Sequence, residues 1–185
     1  MKVVILLLLI ALSVSYDREA AVAYAYKHVH NINHKCGSPW RCSPWGYLGK
    51  EHCGYKGEGG DCANFVSQCI LAGGAEPMNE RIGGVCRGTP CGKEEPGARK
   101  LGDCLTKIKG HKSECGRGMA PPSWIKKGDV IIYHAGSCSG RISHAALVTK
   151  VEGGVAYVTA HSREHKDIKY TYISAKPYYQ WISMD

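Results

Sequence analysis

A glycine pair, an acidic residue and a cysteine introduce the most informative stretch of the chain, GGDCANFVSQCILAGG at residues 59–74. Asp61 is a favourable helix N-cap. Apolar side chains then recur at helical spacing from Cys62, at Phe65, Val66, Cys69 and Ile70. The pattern predicts a buried helix over 62–72 that ends at the second glycine pair.

Cys62 would occupy the first turn of that helix. Unpaired backbone N–H groups and the positive end of the helix dipole lie there, and both favour a thiolate. A thiolate becomes a useful nucleophile when a base and an orienting group accompany it. Cys62 is therefore a candidate catalytic nucleophile, and a further disulfide is the alternative interpretation of this cysteine.

The first residues resemble a targeting segment. Met1-Lys2 precede an apolar run over residues 3–12, and Ser13-Val14-Ser15 supplies small residues for cleavage. This indicates a secretory signal peptide over 1–15, with a retained anchor as the alternative. The run is too short to span a bilayer, so we expect a secreted protein that is not membrane-embedded. Residues 16–185 have the length of a single domain.

Ten cysteines in a secreted chain predict disulfide bonds. Cys69 lies seven residues after Cys62 on the same predicted helical face, where cysteine behaves as a small hydrophobic residue, so we expect a second thiol there. The remaining cysteines can form bridges of undetermined connectivity. Many of them fall in disulfide-tied loops, including a Cys-rich insertion around residues 75–123.

The formal net charge of +8 favours polyanionic partners such as bacterial cell walls, although solubility alone explains it equally well. The basic residues are scattered and form no stripe interleaved with aromatic residues. The sequence therefore gives no indication of nucleic-acid binding.

The order of elements indicates an α+β fold. We expect a helix over residues 17–31, a disulfide-tied loop over 34–60 and a short helix near 104–109. Strands are predicted over 130–133, 142–151, 155–161 and 168–173. Helices thus precede an antiparallel sheet.

Two histidines fall on one predicted hairpin. Gly153-Gly154 is a strong turn signal between the strand that begins at His144 and the strand that ends at His161. A regular register centred on the glycines pairs Glu152 with Val155 and Ala146 with His161. His144 and His161 would then share one face, about 7–8 Å apart at the backbone. A slip of one residue would place them on opposite faces.

With these residues in view, the chain resembles the "putative amidase domain" family, relatives of the NlpC-type cell-wall cysteine peptidases in the papain-like group. The carrying motifs are YDREAAVAYAYKHV, GGDCANFVSQCILAGG, KKGDVIIYH, SHAALVTK and VTAHSREH, in this order. The resemblance implies a nucleophile helix packed on an antiparallel sheet. It also implies Cys62 as nucleophile, His144 as base and His161 as the third polar residue, acting without a cofactor on peptidoglycan stem peptides.

Other residues are weaker candidates for the site. Tyr55 is the nearest upstream tyrosine that could donate to an oxyanion. Trp45, with Trp40 and Tyr47, could line a groove for sugar or peptide, or form local core. Should His161 not be the third member, Asn64 or Glu164 would be next.

Three other functions stay open. A zinc site is the first, but the sequence has neither a CxxC pair nor an HExxH motif, so we expect no metal. A non-catalytic secreted binding module on the same fold is the second. An acyltransferase, in which an amine or alcohol intercepts the acyl-enzyme, is the third.

Overall fold

The computed structural model describes residues 15–30, 62–74, 98–108, 110–161, 164–173 and 177–185. The helices of this part are α1 (Arg18–His28), α2 (Cys62–Ala72) and α3 (Ala98–Leu105). Its strands are β1 (Ser113–Arg117), β2 (Val130–Ala135), β3 (Arg141–Glu152), β4 (Val155–Ala160), β5 (His165–Lys169) and β6 (Tyr178–Ile182). A single 3-10 turn spans Tyr170–Tyr172.

The strands form one sheet in the order β1-β6-β2-β3-β4-β5, and neighbouring strands are antiparallel. The helices pack on one side, which we call the helix face. Its core contains Leu101, Ala145, Leu147 and Ile182, together with the buried residues of α2. The other side, the loop face, buries Tyr133, Ala146, Val148, Ala160 and Trp181. The structure confirms the α+β prediction with its antiparallel sheet.

Helix α1 begins where the sequence predicts. The Asp17 side chain accepts a hydrogen bond from the Ala20 N–H (2.9 Å), which satisfies one of the unpaired donors of the first turn. The alanines that follow are strong helix formers. Because Val29 caps the helix at its C-terminal end, α1 is shorter than the predicted 17–31.

Helix α2 has the predicted bounds, 62–72. Gly74 follows it with a φ of 79°, a conformation that glycine adopts without strain. A Cβ at Gly73 would lie 2.4 Å from Cε2 of Tyr16, and the Gly73 carbonyl accepts from the Asp17 N–H (2.7 Å). The end of α2 therefore fits closely against the start of α1.

A buried ion pair fastens α1 to the sheet. The Arg18 guanidinium donates to Asp129 Oδ1 (2.6 Å), and the Asp129 side chain is fully buried. The same carboxylate accepts from the backbone N–H groups of Lys126 and Met184, and Arg18 also donates to Asp185. One carboxylate thus joins α1, the turn before β2 and the segment after β6.

Several predicted elements differ from the structure. Helix α3 covers 98–105 rather than 104–109, and the strand expected over 168–173 is β5 followed by the 3-10 turn. Strands β1 and β6 were not predicted. Strand β1 lies within the supposed insertion, and its sequence SECGR lacks apolar alternation.

The predicted register of the β3–β4 hairpin holds only near its turn. Glu152 pairs with Val155 as expected, and Gly153 and Gly154 both have positive φ. The register then shifts by one residue between Val148 and Lys150, so that Leu147 pairs with Thr159. The shift is a β-bulge, in which two residues of one strand oppose one residue of its partner.

The bulge overturns the expectation that His144 and His161 share a face. His144 pairs with Tyr133 of the loop face. The side chain of His161 instead follows the odd-numbered side of β4 onto the helix face, because Ala156, Val158 and Ala160 point to the loop face. The same regular register predicts that Ala145 and Leu147 share a core face with Ala156, Val158 and Ala160. In the structure that set is divided, because Ala145 and Leu147 lie against the helices and the three β4 residues lie on the loop face.

The predicted signal peptide, the loop over 34–60 and most of the Cys-rich insertion lie outside the described residues. So do Trp40, Trp45, Tyr47, Tyr55 and Asp61. Among the helices that are described, none combines the length and the apolar character needed to cross a bilayer.

Candidate functional site

Cys62 is the first residue of α2 and is 8% exposed. It is not in a disulfide, and neither is Cys69 in the same helix. Burial raises the pKa of the Cys69 thiol well above its usual range, which makes that thiol inert. The second thiol expected at Cys69 is therefore confirmed.

The other described cysteines are oxidised. Cys115 of β1 is bonded to Cys138 in the turn between β2 and β3, and Cys104 is disulfide-bonded as well. Cys62 thus keeps its thiol in a chain that forms disulfides. Its position at a helix N-terminus is one that favours the thiolate.

His144 lies near the start of β3, on the loop face. Its ring lies against Tyr133, with ring centroids 5.4 Å apart, and its Nε2 is 2.6 Å from the hydroxyl oxygen of Tyr172. Burial, and to a lesser degree the charge of nearby His165, lowers the pKa of His144 to about 4. The imidazole is therefore neutral at physiological pH, which is the form that can accept a proton.

Tyr172 contacts His144 and is electrostatically coupled to Cys62. Burial raises the pKa of its phenol, and the charge of Cys62 raises it further. Cys62 therefore lies within electrostatic range of the phenol that contacts His144. The ring of His165 also packs against Tyr172, with centroids 4.7 Å apart.

His161 lies on the other face of the sheet, against α2. Its ring stacks on Phe65, with centroids 4.4 Å apart and an interplanar angle of 11°. Its Nε2 is 2.8 Å from the carbonyl oxygen of Val29. Since a carbonyl only accepts, Nε2 carries the proton in this contact. His161 thus joins the C-terminal end of α1 to the first turns of α2.

The bulge that separates the two histidines has a polar network around it. The Thr149 hydroxyl donates to Asp167 Oδ1 (2.7 Å) and lies 3.1 Å from the hydroxyl of Thr159. The Asp167 carboxylate also accepts from the Tyr26 hydroxyl (2.9 Å). Asp167 has a φ of 51°, a left-handed conformation that aspartate tolerates better than most residues. Strands β3, β4 and β5 and helix α1 meet at this network.

The structure therefore brings the predicted site residues together only in part. Cys62 and His161 both lie at α2, whereas His144 lies on the loop face, where its Nε2 contacts the Tyr172 hydroxyl. Tyr172 was missed because it falls in a stretch predicted as a plain strand, where no motif distinguishes one tyrosine from another. Glu164 and Asn64 were the next candidates for the third site residue. The Glu164 carboxylate accepts a hydrogen bond from His30 at the surface (2.9 Å). The side chain of Asn64 lies outside the described part of the chain.

Among the described residues, no group of three or more His, Cys, Asp or Glu side chains is arranged to hold an ion.

The family model for a "putative amidase domain" matches residues 15–184. Neither the curated proteins nor the solved structures contain a match to the chain. The family match covers nearly the whole sequence, and it implies a hydrolase acting on an amide bond. The chain belongs to the putative amidase domain family.

Proposed function

We propose that this protein is a secreted cysteine amidase of the NlpC-type, papain-like group, and that it hydrolyses amide bonds in peptidoglycan stem peptides. Cys62 is the nucleophile and His144 the base. The observation that carries the proposal is the thiol of Cys62 at the first residue of a buried helix, in a chain that also forms the Cys115–Cys138 disulfide. Such a position favours the reactive thiolate.

The reaction follows the chemistry of acyl transfer. His144 removes the Cys62 proton, and the sulfur attacks the amide carbonyl to form a tetrahedral intermediate. Backbone N–H groups at the start of α2 stabilise its oxyanion. His144 then gives the proton to the leaving amine, which leaves a thioester on Cys62. A water molecule, deprotonated by His144, cleaves the thioester and releases the acid.

His161 has a different role in this proposal from the one that the sequence suggests. The two imidazoles project from opposite faces, so His161 acts on the nucleophile through α2 rather than on His144. Its stacking on Phe65 and its bond to Val29 hold the first turns of α2 against the sheet. A fixed helix start keeps Cys62 and the oxyanion donors in register with the substrate.

Substrate and location are argued from charge and redox state. A formal charge of +8 suits the anionic bacterial wall. The Cys115–Cys138 bond suits an oxidising compartment, as secretion would provide. Tyr55 and Trp45 remain the proposed contacts to oxyanion and substrate.

The proposal is tested by incubating the purified protein with muropeptides and identifying the fragments by mass spectrometry. We expect a mass gain of one water across one stem-peptide bond, and no cleavage by Cys62→Ala. Cys69→Ala is the matched control, since it removes the other α2 thiol and should keep turnover. Retained turnover in Cys62→Ala would refute the nucleophile assignment.

The same experiment separates the two alternative functions. Wild-type protein that binds muropeptides without cleaving them is a binding module. If added amines appear in the product in place of water, the protein is an acyltransferase. Rapid alkylation of Cys62 by iodoacetamide at neutral pH supports an amidase or an acyltransferase and argues against a non-catalytic binding module.

A further inference from the structure

The shortest contact of His144 is to a tyrosine hydroxyl. Tyr172 Oη lies 2.6 Å from Nε2 of His144, and the two rings meet edge to face with centroids 6.1 Å apart. A distance of 2.6 Å is that of a short hydrogen bond between the hydroxyl and the ring nitrogen. This contact therefore restrains both the position and the rotation of the imidazole.

The surroundings of His144 contain no described carboxylate contact. The titratable groups that face the imidazole are Tyr133 on β2, His165 on β5 and Tyr172 in the 3-10 turn. A histidine base needs a partner on one nitrogen so that the other keeps its lone pair. Tyr172 has a hydrogen bond to Nε2 of His144.

We propose that Tyr172 is the positioning residue of His144. Its hydroxyl oxygen accepts the Nε2 proton, so that Nδ1 carries the lone pair that takes the proton of Cys62. This inference rests on the proposed function and identifies the orienting group of that site, which the sequence had placed at His161. The proton transfer balances. Cys62 loses one proton, Nδ1 of His144 gains it, and the Nε2–H group stays hydrogen-bonded to Tyr172.

A neutral phenol orients an imidazole differently from a carboxylate. Burial keeps Tyr172 protonated throughout the working pH range. A neutral phenol adds no negative charge that would stabilise an imidazolium at His144, which agrees with the low pKa of that group. The proton consequently moves to His144 during the attack on the substrate, rather than resting there as part of a stable ion pair.

The test compares Tyr172→Phe with Tyr133→Phe. Tyr133 also packs its ring on His144, but its hydroxyl donates to the carbonyl of Tyr170 (3.0 Å). Each variant loses one buried hydroxyl from the same aromatic cluster. The readouts are kcat and KM on muropeptides, and the ¹⁵N shifts of His144 in histidine-labelled protein at pH 7, assigned with His144→Gln.

We expect the wild type and Tyr133→Phe to carry the His144 proton on Nε2. Tyr172→Phe should give a mixture of tautomers, a fall in kcat of about 10–100-fold and little change in KM. A proton on Nδ1 in the wild type would overturn the inference, even if Tyr172→Phe failed to fold. So would equal tautomers and rates in the two variants. If the wild type shows the expected tautomer but cleaves no amide, the proposed function fails while the Tyr172 contact stands.

Discussion

The His161 imidazole lies nearly parallel to the ring of Phe65, with ring centroids 4.4 Å apart. Phe65 follows Cys62 by about one turn of α2. The contact fixes α2 on the sheet at the end that carries Cys62. His161 is fully buried, and its proton on Nε2 is bound to the Val29 carbonyl. The stack and the hydrogen bond together tie three segments that are distant in sequence.

The first prediction separates a positioning role of His161 from proton transfer. His161→Ala removes the stack and leaves the Val29 carbonyl without this donor, so we expect a loss of about 2–3 kcal/mol in the free energy of unfolding. It should also lower kcat by about 100-fold, because Cys62 is displaced. His161→Gln can still donate to Val29 and should keep most of the activity. Urea unfolding and steady-state kinetics measure both. A Gln variant as inactive as the Ala variant would favour acid–base chemistry at His161.

The second prediction concerns the acid stability that His144 controls. Its pKa is about 4 in the fold and near 6.5 when unfolded, so the unfolded chain binds more protons between these values. The contribution of His144 to the free energy of unfolding is therefore complete above pH 6.5. It falls by about 3 kcal/mol as the pH drops towards 4.

His144→Gln should remove that part of the pH dependence, as seen by urea unfolding at pH 7 and pH 4.5. His30→Gln is the control, because His30 is exposed at the surface. Identical pH slopes in the wild type and His144→Gln would contradict the assigned environment.

The third prediction addresses the bulge. Thr149→Val keeps the shape of a fully enclosed side chain but loses the bonds to Asp167 and Thr159. We expect about 1–3 kcal/mol of destabilisation, since the buried partner groups lose a hydrogen bond. Because the bulge decides whether His144 and His161 share a face, kcat should fall as well.

Thr106→Val serves as the control for the bulge, because the Thr106 hydroxyl bonds only local backbone carbonyls at the end of α3. Thermal unfolding and muropeptide turnover are the measurements. An unchanged kcat in Thr149→Val would show that the network does not determine the site geometry.

The fourth prediction tests the ion pair between Arg18 and Asp129. Arg18→Met leaves a buried carboxylate without its cation, which costs about 3–5 kcal/mol near pH 7. Burial already raises the pKa of Asp129, and losing Arg18 raises it further, so the cost should shrink as the pH falls and the carboxyl is protonated.

Asp129→Asn in the Arg18→Met background should recover part of the stability, because the buried charge is gone. Calorimetry on both single variants and the double variant gives the coupling energy. Strict additivity would mean that the two side chains do not interact.

Local signals in the sequence predict local structure well in this chain. Asp17, Gly73-Gly74 and Gly153-Gly154 set the helix start, the helix end and the hairpin turn where the structure has them. The faces of His144 and His161 could not be derived in the same way, because they depend on the bulge. The Thr149 side chain at the bulge contacts Thr159 and Asp167 on other strands, and the spacing of residues within β3 does not reveal these contacts.

The bulge at Thr149 divides β3 into two halves. Odd-numbered residues face the helices before the bulge, and even-numbered residues face them after it. Leu147 and Lys150 point to the helix side, whereas Val148 and Val151 point away from it. A saturation mutagenesis scan along β3 would therefore show polar substitutions tolerated at alternate positions. The tolerated positions would change between odd and even numbers at residue 149. A sequence alignment with a gap misplaced across Thr149 would match residues that face the helices with residues that face away from them. The error would extend through half of the strand.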